Sequence, residues 1–228
     1  MSDAEPRELL IRWAPIPGSA QEQFFDDDTP DADIAFVGGY ASGKTMTLAA
    51  KMLKLSAINA PMPIIWVVPD YAHIHDTILP TIESQDPDTG EPWFLAPSQF
   101  HFHETRHVLT WDGGGPIMFL TAENPKSIAG PNVASAGMDE PGSVKRAAWR
   151  NTVARVRHPG ARLRQRIAAI LLVSSCAPLV REHLAAAVLR PSPIVCADGY
   201  PVKILISQTC TDGICGWSCV PNRWSVTP

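Results

Sequence analysis

Gly38-Gly39-Tyr40-Ala41-Ser42-Gly43-Lys44-Thr45 is the stretch that decides how this chain is read. It fits the pattern G-x-x-x-x-G-K-[ST] at every position. It also has the flanks that the pattern needs, with the short apolar strand Ile34–Val37 before it and a helix-forming stretch rich in Ala, Leu, Met and Lys after it, from Lys44 to about Ile58. A backbone that wraps around phosphate oxygens needs glycines, because side chains would block both the approach and the required φ angles. Its amides, with the N-terminus of the following helix, offer partial positive charge to the anion. Lys44 can reach β- and γ-phosphates, and Thr45 can set its hydroxyl on Mg²⁺. Gly38, Gly39, Ser42, Gly43, Lys44 and Thr45 are therefore candidate nucleotide-binding residues, and ATP with Mg²⁺ is the implied ligand.

Working outward, the elements alternate between strand and helix. Pro61 and Pro63 stop the helix, and Ile64–Val68 is a second buried strand ending at Pro69. His73 to Glu83 reads as helix. The stretch from Asp86 to Pro97 reads as loop. Phe100–Glu104 and His107–Trp111 alternate like strands, and with the returning strand Ile117–Thr121 they predict a β-hairpin insertion. Val133–Met138 leads into Asp139-Glu140, Val144–Val156 reads as helix, Ile167–Ser174 as buried strand and Val180–Leu189 as helix. This order predicts an α/β fold, a P-loop NTPase with a mainly parallel sheet flanked by helices.

A phosphate loop needs a second carboxylate site for its metal, and Asp139-Glu140 supplies one. In a hydrolase the Asp holds Mg²⁺ and the adjacent Glu polarises the attacking water. A kinase has no need of that Glu, so the pair favours hydrolysis. Asp139 and Thr45 are the candidate metal residues, with Glu140 and Lys44 the candidate catalytic ones.

The 228 residues suffice for one sizeable domain and a small appendage. We divide them into an irregular N-terminal segment, 1–33, the ATPase domain, 34–190, and a tail of uncertain fold, 191–228. The acidic run Asp26, Asp27, Asp28, Asp31 and Asp33 reads as a solvated loop. With 45% hydrophobic and 18% charged residues, and no signal-peptide or membrane-spanning pattern, the composition predicts a soluble intracellular protein. Three histidines, His101, His103 and His107, lack a carboxylate or Cys to complete a metal site, so they read as a solvent-facing strand. Cys196, Cys210, Cys215 and Cys219 match no common zinc-ribbon spacing.

Several stretches in order from about residue 12 to about 178 resemble the ATPase domain of the large terminase subunit of phages. Gln21-Glu22-Gln23-Phe24 resembles the family's Q-x-x-F element, which implies that Gln21 reads adenine, with Gln23 second. Pro69-Asp70-Tyr71 and His75-Asp76-Thr77 resemble the segment after the family's second strand. Trp111-Asp112-Gly113-Gly114 with Ile117-Met118-Phe119 resembles its hairpin. Ser127-Ile128-Ala129-Gly130 resembles its approach to the acidic pair, and Arg155-Val156-Arg157 its R-x-R. The stretch Ser174-Ser175-Cys176-Ala177-Pro178 resembles the motif coupling hydrolysis to movement, which implies a nucleotide-side role for Ser175. The resemblance implies a DNA-packaging ATPase acting on double-stranded DNA in the host cytoplasm, with a portal protein, a small terminase subunit and a homo-oligomeric ring. The alternatives are a helicase-like or other nucleic-acid-dependent ATPase, and an inactive nucleotide-binding fragment.

The phosphate loop departs from the family's pattern in one respect. Many members carry an arginine where Tyr40 stands, so either the transition-state charge comes from elsewhere or activity is compromised. Arg155 and Arg157 are the candidates for a finger supplied in trans. They belong to a run of eight Lys and Arg between Lys145 and Arg166, out of 19 in the chain, with no acidic residue among them. That run reads either as a surface for DNA phosphates or a neighbour's ATP, or as a solvated face. Terminases also carry a nuclease domain. Only Asp198 and Asp212 are acidic after Leu189, too few for a two-metal site, so no nuclease is expected from this chain and the tail is expected to pack loosely.

Overall fold

The structure, a computed structural model, describes residues 11–39, 41–130, 132–141, 144–171, 194–195 and 201–206. The elements are α1 (Ala20–Asp26), β1 (Ala32–Gly38), α2 (Lys44–Asn59), β2 (Ile64–Val68), a π-helical turn (Ile74–Ile78), α3 (Leu79–Ile82), β3 (Phe100–His103), β4 (Val108–Trp111), β5 (Ile117–Thr121), β6 (Ala136–Asp139), α4 (Arg146–Arg155), β7 (Gln165–Leu171), β8 (Ile194–Val195) and β9 (Pro201–Ile206). Among the described residues they build one nine-stranded sheet in the order β3-β4-β5-β2-β6-β7-β1-β9-β8. The strands from β5 to β9 pair in parallel, whereas the β3-β4-β5 edge and the β8-β9 pair are antiparallel. The P-loop architecture and the hairpin therefore stand as expected.

The central strands are buried on both faces, as a parallel sheet covered by helices requires. In β2 all five residues are buried. Ile64, Trp66 and Val68 face the core shared with α2, and Ile65 and Val67 face a smaller core that includes Met138 and Ala148. Gly137 on β6 lies against Met52 of α2, and a Cβ there would collide with the Met52 sulfur. Of the three hairpin histidines, His107 is partly buried and stacked on Tyr71 at 4.0 Å, so it does not face solvent as expected. On β3, His101 and His103 are exposed while Phe100 and Phe102 are partly buried, so the reading of that strand face holds.

The described part of the segment before residue 34 is not irregular throughout. Ala20–Asp26 is a helix capped by Ser19, whose hydroxyl accepts the Glu22 N–H, while Glu22 reaches back to the Gly18 N–H. Ser19 and Glu22 have the S-x-x-E spacing of a capping box, with Glu22 accepting from the Gly18 N–H in place of the Ser19 N–H, and that spacing is present in the sequence. Nor is the acidic run simply solvated. Asp28 pairs with Lys51 and Lys54, Asp31 pairs with Arg164, and the buried Asp33 pairs with Arg166. The tail also contributes to the fold, since β9 is a strand of the sheet, parallel to β1 from Asp33↔Val202 to Val37↔Ile206. Long-range pairing of this kind has no local signature. The helix read from His73 to Glu83 begins as a π turn, with Leu79 N–H donating to Ile74 O. Pro80 has no N–H to offer the preceding turn, which loosens the α-helical ladder there.

Lys51 fastens α1 to this frame. Its side chain is fully buried on α2, and its ammonium donates to Phe25 O at 2.9 Å, Asp27 O at 2.7 Å and Asp28 Oδ1 at 3.0 Å. A cation thus closes the C-terminal end of α1, where carbonyls lack helical partners. Burial pushes the Lys51 ammonium pKa down, and Asp28 opposes that. Replacing Lys51 with Met keeps the volume but leaves these oxygens without their charged donor. The expected loss is about 2–3 kcal/mol, read as a lower urea midpoint at unchanged slope.

Candidate functional site

Strand register brings the phosphate loop and the acidic pair to one edge of the sheet. Asp139 is level with Ala169 on β7, and Ala169 is level with Phe36 on β1. Two residues further, β1 ends at Gly38, where the loop begins. Because β7 lies between β1 and β6, the two features stand two strand spacings apart, about 10 Å. The crevice between them lies beyond the carboxyl ends of the strands, where open α/β sheets hold their ligands.

The loop itself is arranged for an anion. Ala41 and Gly43 take left-handed backbone conformations, at φ 56° and 74°. Gly43 is the N-cap of α2 and supplies no side-chain cap, so the first-turn amides point outward. The Ser42 hydroxyl is buried and has no hydrogen-bond partner among the described residues. Lys44 is only 7% exposed, and its ammonium donates to Gly39 O at 2.7 Å. Thr45 follows on the first turn of α2. An uncapped helix start, an orphaned buried hydroxyl and a lysine folded onto its own loop suit a polyphosphate. Tyr40 lies outside the described residues.

Gln21 meets this loop from α1. Its Nε2 donates to Ser42 O at 3.0 Å, and its Oε1 accepts from Ile16 N at 3.4 Å. A Cβ on Gly43 would fall 2.5 Å from that Nε2 and displace the Gln21 amide, and the φ of 74° independently favours glycine there.

Asp139 ends β6 with 1% of its surface exposed. Glu140 follows in a left-handed conformation at φ 48°, uncommon for a residue with a Cβ. Its N–H is shared between Ala169 O at 3.0 Å and Asp139 Oδ1 at 3.1 Å. The contact that sequence reasoning missed is His73, whose Nε2 lies 2.9 Å from Asp139 Oδ2. His73 stands in the loop after β2, the strand beside β6, and no spacing in the sequence announces that pairing. The hydrogen bond to Asp139 raises the His73 pKa above its usual 6.5, against the opposing effect of burial.

Not every residue singled out in the sequence gathers here. Arg155 O accepts from Val133 N, and Arg157 N donates to Val133 O, ahead of the N-terminal end of β6. Both arginines therefore sit at the opposite edge of the sheet from Asp139, roughly 20 Å of extended chain away. Arg157 Nε donates to Asn132 Oδ1 at 2.8 Å, and Arg155 Nε is buried with no partner among the described residues. Arg164 and Arg166 are engaged by Asp31 and Asp33, which removes them from the reading of the basic run as a DNA surface. Ser175 lies outside the described residues.

Comparison with known proteins places this geometry. The family described as terminase large subunit, T4likevirus-type, N-terminal, matches residues 35–171. No curated protein matches the sequence. Among solved structures, the large terminase from a thermophilic bacteriophage is similar at a TM-score of 0.57 and 10% identity, over 82% of this chain and 45% of that one. The same protein in complex with ATP-gamma-S is similar at 0.57 and 13%, over 82% and 44%. The HK97 bacteriophage large terminase is similar at 0.55 and 16%, over 88% and 41%. These are likenesses of fold, and the chain spans less than half the length of each of those proteins.

The His73–Asp139 contact has a pH signature. A folded-state pKa raised above 6.5 means that the extra stabilisation gained by protonating His73 is fully present below that pH and is lost as pH rises through the raised value, while the hydrogen bond of the neutral imidazole remains. In metal-free buffer, urea midpoints of the wild type are expected to decline across that window relative to His73→Leu. A pH-independent difference between the two proteins would contradict the assignment.

Proposed function

Because this chain belongs to the family of T4likevirus-type terminase large subunits, in their N-terminal region, we propose that it is the ATP-hydrolysing motor domain of a machine that drives viral DNA into a procapsid. The observation that carries the proposal is the shared C-terminal edge, where an uncapped helix start, Lys44 and an orphaned Ser42 hydroxyl face a buried Asp139 followed by Glu140. Lys44 exchanges its bond to Gly39 O for phosphate oxygens. Thr45 and Asp139 would hold Mg²⁺, which would supply positive charge against the phosphates. Glu140 orients the attacking water and accepts its proton. Gln21, fixed against the loop by Ser42 O, is assigned to the adenine.

The charge that the loop lacks comes, on this reading, from another copy. Arg155 and Arg157 lie at the sheet edge remote from their own Asp139, so within one chain neither serves that site. A head-to-tail ring would bring this edge to the neighbour's nucleotide, and closed rings are what heterologous contacts of this kind build. Double-stranded DNA, a portal protein and a small terminase subunit are the proposed partners, with the host cytoplasm as the place of action. No helix among the described residues is long and apolar enough to cross a membrane.

Two experiments test the proposal. Lys44→Ala is expected to abolish tight MgATP binding. Glu140→Gln is expected to bind MgATP as the wild type does and to lose about 10²–10⁴-fold in turnover. Wild-type hydrolysis by Glu140→Gln would remove the catalytic assignment. Turnover per subunit should rise with protein concentration, with portal or with DNA, and Arg155→Ala and Arg157→Ala should lower turnover at nearly unchanged nucleotide affinity. A rate per subunit indifferent to dilution, with neither arginine contributing, would exclude the finger in trans.

A further inference from the structure

The carboxylate at the centre of the site is held from two sides, and one of the two holders has no part in the proposed hydrolysis. Asp139 Oδ1 accepts the N–H of Glu140 at 3.1 Å, while Oδ2 is engaged by His73 Nε2 at 2.9 Å. Rotating the carboxylate about its Cβ–Cγ bond breaks one or both of these bonds, so its plane is set. The contact is largely withdrawn from solvent, with side-chain exposures of 21% for His73 and 2% for Asp139, and its strength is little reduced by screening.

His73 is itself anchored. Its N–H donates to Asp70 Oδ1 at 2.8 Å, the side chain of the second residue after β2. The π turn that follows buries Ile74 and Ile78 in the main core. Asp70, His73 and Asp139 thus form a chain of hydrogen bonds from the end of β2 to the end of β6. Direction matters too. The imidazole reaches the carboxylate from the segment that follows β2, which in the strand order β2-β6-β7-β1 lies on the opposite side of β6 from the strand that carries the loop.

The geometry points to His73 as a positioning residue of the metal site, which holds Asp139 from the β2 side so that its carboxylate is presented to a divalent cation on the phosphate-loop side. This inference rests on the reading of Asp139 as the metal-side carboxylate of an ATP site. A proton on Nε2 makes the bond in neutral imidazole and in imidazolium alike, so the holding role does not depend on charge. Groups that orient a metal-binding carboxylate typically change metal affinity by about 10–100-fold when removed. Contacts of the loop and Gln21 to nucleotide lie on the β1 side and need no metal.

The test measures metal binding directly on the full chain. Free Mn²⁺ is followed by electron paramagnetic resonance in the presence of ADP, and a fluorescent ATP analogue is titrated with excess chelator and then with Mg²⁺. His73→Leu is expected to lose about tenfold or more in Mn²⁺ affinity while its chelator-treated nucleotide affinity is unchanged. His73→Gln, whose Nε2 amide has a similar reach, is expected to recover most of the loss. His73→Asn, too short to reach Oδ2, should behave like Leu, and it replaces Leu if that variant does not fold by circular dichroism. Wild-type Mn²⁺ affinity in the folded variants that cannot donate to Oδ2, Leu or Asn, overturns the inference alone. So does an equal loss with and without metal, which would mark a packing role, and so does failure of Gln to recover binding. A wild-type chain that binds no nucleotide, or binds it without regard to metal, overturns the ATP-site reading and this inference with it.

Discussion

The register of three parallel strands, β1, β7 and β6, is the constraint on which the site depends. A phosphate loop and a carboxylate more than 90 residues apart in the chain become a site only if their strands end at the same level. The ladder Phe36↔Ala169↔Asp139 secures that, and each of its rungs is a backbone hydrogen-bond pattern with buried residues on both faces. A one-residue slip would send the outward and inward side chains to opposite faces, at a cost that a doubly covered sheet does not tolerate. The intervening β7 matters equally, because it opens a gap of two strand spacings between the loop and the carboxylate.

Around this frame, polar groups are buried in a graded way. Lys51 and Asp33 are enclosed, and each is matched by a partner of opposite charge or by carbonyl oxygens. Asp139 is matched by His73 and by the Glu140 amide. At the phosphate loop the matching is incomplete, for the buried Ser42 hydroxyl has no partner among the described residues. A buried polar group without a full complement of bonds costs free energy, and that cost is recovered when a ligand supplies them. The unmatched hydroxyl therefore marks the ligand position more sharply than the cavity shape does.

The charges outside the site carry a different lesson. The sequence holds an acidic run before β1 and a basic run after β6, and each invites a reading by itself. In the fold, Asp31 and Asp33 meet Arg164 and Arg166 because β1 and β7 are neighbours and start level, at Ala32↔Gln165. Two apparent surfaces thus become one set of ion pairs. Arg155 and Arg157 remain at the far sheet edge, remote from Asp139 of their own chain.

The sequence by itself determined the phosphate loop, the alternation of strands and helices, the edge hairpin and the acidic pair. Each of those is written in consecutive residues, where spacing, glycine content and apolar periodicity act locally. The S-x-x-E spacing of Ser19 and Glu22 was equally local and could have revealed α1. Tertiary structure alone decided the rest. That His73 holds Asp139, that Gln21 rests on Ser42 O, that Lys51 closes α1 and that β9 joins the sheet beside β1 all depend on pairings between distant segments. No periodicity encodes such contacts, because they follow from which strand lies next to which. That order is set by the burial of the whole sheet and is not set by any one stretch of it.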